Sequence, residues 1–99
     1  MIRVLSLCAV VLAMPAFADE AREADCGYQG QVVSAVQAAR VADVAEAGVV
    51  EHLAAAASDW PEKYNAVVPL VTPWVYSLEM AEVTTEDLGA AWAELCLAQ

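Results

Sequence analysis

Apolar positions recur every three or four residues through most of the chain, the period of helices with one buried face. Over residues 25–41, Tyr28, Val32, Ala35, Val36 and Ala39 fall on one stripe, with Asp25 as cap and Gln29, Gln31, Gln37 and Arg40 on the wet side. A second helix is expected to open at Asp43, which with Glu46 resembles a capping box. It places Val44, Ala47, Val50, Leu53, Ala54 and Ala57 on one face. Gly48 inside it costs about 1 kcal/mol against alanine, and marks either a close helix approach or a break. The string Ser58-Asp59-Trp60-Pro61 ends this helix and starts a third, with Trp60 and Tyr64 one turn apart. Pro69 and Pro73 each remove a backbone donor and clash with the preceding turn. A fresh start is therefore expected at Thr72-Pro73, with a short helix over residues 74–80. Thr84 and Asp87 form another capping box before a last stripe of Leu88, Ala91, Trp92 and Leu95, and Cys96 stands one turn beyond Trp92.

The architecture that buries these stripes is all-α, a compact bundle of four to five short helices. Its expected aliphatic core is Val32, Val36, Val44, Leu53, Val67, Val68, Leu70, Val71, Val75, Leu78, Leu88 and Leu95, with Tyr28, Trp60, Tyr64, Trp74, Tyr76 and Trp92 as the larger bodies. Trp74 and Trp92 match the buried stripes, which leaves Trp60 and Tyr76 as the rings expected to be exposed.

The first eighteen residues read differently. Arg3, the apolar run over residues 4–14 and the site Ala16-Phe17-Ala18 have the layout of a cleaved secretory signal peptide. The apolar run is eleven residues, where a membrane-spanning helix needs about 20, and the second apolar stretch, residues 66–78, is interrupted by two prolines. The expected organisation is a signal peptide over residues 1–18 and a single helical domain over residues 19–99, with no membrane anchor after cleavage. Losing Arg3 takes the formal charge from −10 to −11, so nothing offers a basic surface to nucleic acid. The layout looks bacterial, which makes the periplasm the expected compartment.

Cleavage also changes the cysteine count. Cys8 leaves with the signal, and an even pair in an oxidising compartment favours a disulfide between Cys26 and Cys96, joining the first and last helices. Closing a loop of about 70 residues stabilises by about 4 kcal/mol in the chain-entropy model. A redox enzyme would instead place its pair as Cys-x-x-Cys.

Catalytic and metal constellations are not found. His52 is the only histidine, and Glu51-His52-Leu53-Ala54-Ala55 lacks the second histidine that a zinc-binding helix supplies one turn on. Ser34, Ser58 and Ser77 have no Gly-x-Ser-x-Gly context. Gly27 and Gly30 are spaced like half of a phosphate loop but follow no strand. No enzyme, cofactor or metal is expected. Glu79, Glu82 and Glu86, with Asp87 beside them, form a negative ridge with no calcium-loop spacing. Residues 60–76 interleave four aromatics with three prolines, and could line a groove or present rigid anchors. The candidate interaction surface is therefore Trp60, Tyr64 and Tyr76 together with Glu79, Glu82 and Glu86.

The order of Cys26 in an alanine- and valine-rich helix ending at Arg40, a proline-tyrosine segment and a closing Trp92-x-x-x-Cys96 resembles small exported two-cysteine helical proteins of proteobacteria. That group has no agreed activity. In size, helicity and one long-range disulfide the chain also resembles periplasmic acid-stress chaperones. The expected function is a periplasmic protein-interaction module, such as an inhibitor, immunity or accessory factor, whose partner is another periplasmic protein. The alternatives are a carrier of a small apolar ligand and an acid-responsive chaperone. For the latter, neutralising the carboxylates near pH 3 would swing the charge from −11 to about +5. Oligomeric state is not readable from the sequence.

Overall fold

A computed structural model describes residues 16–99, with side chains from residue 18 onward. The expected signal segment lies outside the described residues, apart from residues 16–18 in the opening turn of the first helix. The described residues are all helical, without strands. The helices are α1 (Ala16–Val41), α2 (Val49–Ala55), α3 (Val67–Ser77), α4 (Met80–Thr85) and α5 (Leu88–Leu97), with 3-10 turns at Glu46–Gly48 and Glu62–Ala66. Cys26 and Cys96 form the expected disulfide, joining α1 to α5 with their Cα atoms 5.6 Å apart. No described helix is long and apolar enough to cross a membrane.

α1 organises the rest. Its 26 residues extend for about 39 Å, and α5 and then α3 lie against it most extensively. It starts well before Asp25, because residues 16–24 are mostly alanine, glutamate and arginine, strong helix formers. Asp25 is thus not a cap but an interior residue of the helix. Val32, Val36 and Ala39 are buried as the stripe requires, but so are Cys26, Gly30 and Val33, giving α1 a second buried face. That face carries glutamines expected on the wet side. Gln37 Nε2 donates to the carbonyls of Val83 (2.6 Å) and Glu86 (2.7 Å), while Trp92 Nε1 donates to Gln29 Oε1 at 3.0 Å. Arg40 is also half-buried, donating to the Val75 carbonyl and lying over the Tyr76 ring. Of the four polar residues assigned to solvent, only Gln31 is fully exposed.

α2 begins later than expected. Asp43 has φ 63°, in the left-handed region, and caps no helix; the first turn is capped by backbone at Ala45 alone. Gly48 marks the break between the 3-10 turn and α2. The register follows: Val49 is fully buried, Leu53 is packed against the core, and Val50 is exposed.

The two prolines do not divide α3. Pro69 occupies the first turn, where its missing N–H would have no helical partner, and Pro73 is accommodated inside the helix with its ring exposed. Val68, Val71, Thr72 and Val75 hold one continuous buried face across it, and the Thr72 hydroxyl donates back to the Val68 carbonyl at 2.6 Å. The fresh start at Thr72-Pro73 is therefore incorrect, and Met80 opens α4 instead of ending a helix over residues 74–80. Leu70, on the opposite side of α3, is 75% exposed and not part of the core.

Asp87 caps α5, its Oδ1 accepting from the Ala90 amide at 3.0 Å, whereas Thr84 bonds back to the Met80 carbonyl within α4. α5 turns Gly89, Ala93 and Cys96 toward α1. This rotates it away from the expected aliphatic stripe and leaves Leu95 59% exposed. At its other end the Arg22 guanidinium donates to the carbonyls of Cys96 (3.3 Å), Leu97 (2.9 Å) and Gln99, completing the C-terminal turn.

Candidate functional site

α1 and α5 meet at glycine. A Cβ on Gly30 would lie 2.8 Å from the Gly89 carbonyl oxygen, and one on Gly89 would lie 2.6 Å from the Gly30 carbonyl oxygen and 2.1 Å from Ser34 Oγ. Backbone oxygens cannot move aside, so both positions exclude any side chain. Beside this contact runs a groove of about 760 Å³. Its floor is made of small residues, Gly27, Gly30 and Ser34 from α1 and Gly89 and Ala93 from α5. Leu53, Ala57 and Trp60 form the opposite wall. The Trp60 ring is held there by its Nε1–H, which donates to Asn65 Oδ1 at 2.8 Å. Among the described residues, the only ionisable side chains lining the groove are Asp59 and Asp87, which give it an acidic character.

Gly27 differs from the other two floor glycines. Nothing lies within 4 Å of where its Cβ would be, so the described packing does not call for glycine. In the interior of a helix it costs about 1 kcal/mol relative to alanine.

The residues singled out from the sequence are scattered in role. Trp60 is half-buried in the groove wall, not exposed. Tyr64 is a core residue at 6% exposure, packed on Tyr28 with ring centroids 5.1 Å apart, and its hydroxyl donates to Asp25 Oδ1 at 2.8 Å. That hydrogen bond, reinforced by burial and by the Asp25 charge, holds the Tyr64 phenol above the ordinary tyrosine value. Tyr76 is half-buried, not exposed, with its hydroxyl donating to the Val44 carbonyl at 2.5 Å. Burial, aided by Glu46 and opposed by Arg40, raises its pKa as well. Trp74 and Trp92 pack together with centroids 5.6 Å apart, filling space between α3 and α5. Glu79, Glu82 and Glu86 are exposed along α4 and its flanks. His52 is exposed on α2.

A second concavity, about 580 Å³, opens beside the disulfide and is lined by Arg22, Asp25, Trp92 and Leu95 among others. Ligand atoms of Asp25, Cys26 and Cys96 lie within 4.8 Å of one another. With the two sulfurs bonded to each other, neither is the thiolate that a soft metal takes, so this trio in its disulfide form is not a metal donor set.

Sequence reasoning missed the groove because its floor is neither apolar nor charged. The available signal was glycine itself: Gly27, Gly30 and Gly89 stand where alanine would make the better helix. No protein-family model, no curated protein and no solved structure matches the chain.

Proposed function

We propose that this is an exported, periplasmic protein-interaction module, and that its working surface is the groove between α1, α5 and the Trp60 wall. Its occupant is a cationic extended segment of another protein. The observation that carries the reading is Gly27: a helix-interior glycine that no internal neighbour requires, on the floor of an acidic groove. A bare floor lets a partner's backbone approach closely, the Trp60 ring supplies a rigid aromatic contact, and Asp59 and Asp87 supply charge for lysine or arginine. The net charge of −11 after signal removal steers a basic partner toward the molecule, and the three remaining cations, Arg22, Arg40 and Lys63, offer little competition. This reading involves no catalytic step. It is favoured over an apolar-ligand carrier because Trp74 and Trp92 occupy the space between the proline-containing helix and the last one.

The test is a titration of ¹⁵N-labelled protein with a short peptide of alternating lysine and alanine. Shifts concentrated on Gly27, Gly30, Ser34, Leu53, Trp60 and Gly89 support the reading. Shifts spread over Glu79, Glu82 and Glu86, or none at all, overturn it.

A further inference from the structure

The disulfide is asymmetric in its surroundings. Both cysteines line the second concavity, but Cys26 is 1% exposed, enclosed where α1 meets its neighbours, whereas Cys96, near the end of α5, is half-buried and the more accessible of the two. Two charges line that concavity. Arg22 is engaged with the carbonyls at the end of α5. The Asp25 carboxylate lies within 4.8 Å of both sulfurs, fixed by donors from Tyr64 (2.8 Å) and Gln29 (3.0 Å).

Thiol–disulfide exchange needs a thiolate to reach one sulfur in line with the S–S bond, while the other sulfur departs with the electron pair. We propose that Cys96 is the sulfur through which the bridge exchanges with external thiols, and that Asp25 slows this exchange. The incoming thiolate bonds to Cys96 Sγ, the Cys26–Cys96 bond breaks, and Cys26 leaves as a thiolate. A second thiolate then attacks the external sulfur, Cys96 leaves as a thiolate, and the two external thiols end as a disulfide while the bridge is reduced. The Cys26 thiolate is released into a buried position beside a carboxylate. Both burial and like charge disfavour it there, so it returns to Cys96 and expels the external thiol. The Arg22 guanidinium is engaged with three backbone oxygens at the end of α5. The ends of the domain are thereby held by a bond that opens preferentially at Cys96 and recloses.

The experiment exposes the disulfide-bonded protein to the uncharged thiol 2-mercaptoethanol, with acid quenching at the earliest times, alkylation of freed thiols at low pH and peptide mapping. The expected result is an adduct on Cys96 with Cys26 alkylated, in about tenfold excess over the reverse. An equal or larger share of adduct on Cys26 overturns the assignment. For the brake, Asp25→Asn is expected to speed reduction severalfold, with the gain shrinking as salt is added. Tyr64→Phe removes a hydrogen bond from the same carboxylate but leaves its charge, and is expected to leave the rate near that of the native protein. Equal acceleration by both variants, or none by Asp25→Asn, overturns the role of Asp25. The mapping on the native chain stands whether or not either variant folds.

Discussion

Three glycines on one groove floor answer to different physical demands. Gly89→Ala places a methyl group against the Gly30 carbonyl and Ser34 Oγ, and is expected to destabilise by about 1–3 kcal/mol in denaturant unfolding. Gly27→Ala meets open space and is expected to stabilise by up to about 1 kcal/mol in the same measurement. Equal effects of the two would contradict the geometry. The tyrosines offer a second check. The folded-state pKa of Tyr64 is raised, so the hydrogen bond to Asp25 contributes stability that is complete below the unfolded value near 10 and is lost as pH rises through the folded one. Alkaline titration followed by phenolate absorbance should show Tyr64 and Tyr76 ionising above the ordinary tyrosine range, and Tyr64→Phe should flatten the loss of stability above pH 10.

At the scale of elements, the attachment of the α4–α5 pair to α1 depends on side-chain amides as well as on apolar packing. Gln37 holds two carbonyls at the α4–α5 junction, and its own oxygen lies 3.4 Å from the Leu88 amide. Gln37→Leu strands part-buried backbone groups and is expected to cost about 1–3 kcal/mol, with amide exchange accelerating first in α4 and α5. Uniform acceleration across all helices would argue against a local latch. This element also shows where sequence reading stops. Helix existence was legible from the apolar period, and the bridge from the cysteine count. The second face of α1 was not, because Gly30 and Gln37 look like solvent-facing residues until the partner helix is in place. α3 departs from its local sequence signal for another reason: the cost of Pro73 is local, whereas the spacing of Val68, Val71 and Val75 runs through it unbroken. Tertiary burial of three valines outweighs one missing backbone hydrogen bond.

On the scale of the whole molecule, a long first helix serves as the spine, and the Cys26–Cys96 bridge, 70 residues apart in sequence, fixes the last helix to it. Replacing both cysteines by serine is expected to lower unfolding stability by up to about 4 kcal/mol, measured against the oxidised protein in the same buffer. No loss would mean that the α1–α5 contact is self-sufficient. The same geometry creates the groove, since close approach at Gly30 and Gly89 leaves the flanking floor low and open on the Trp60 side. The aromatic and acidic residues that drew attention in the sequence divide accordingly: Trp60 lines the groove, Tyr64 is core, and Glu79, Glu82 and Glu86 form an exposed acidic strip elsewhere. Whether the groove or the strip receives a basic partner is decided by calorimetric titration of two variants with the lysine–alanine peptide. Gly27→Leu fills the floor from a position whose Cβ meets no neighbour within 4 Å, and the triple change of Glu79, Glu82 and Glu86 to glutamine removes the strip's charge. Gly27→Leu is expected to weaken binding at least about tenfold, worth about 1.4 kcal/mol, while the triple variant stays near native affinity at physiological salt. Native affinity in Gly27→Leu together with lost binding in the triple variant would contradict the groove as the binding surface.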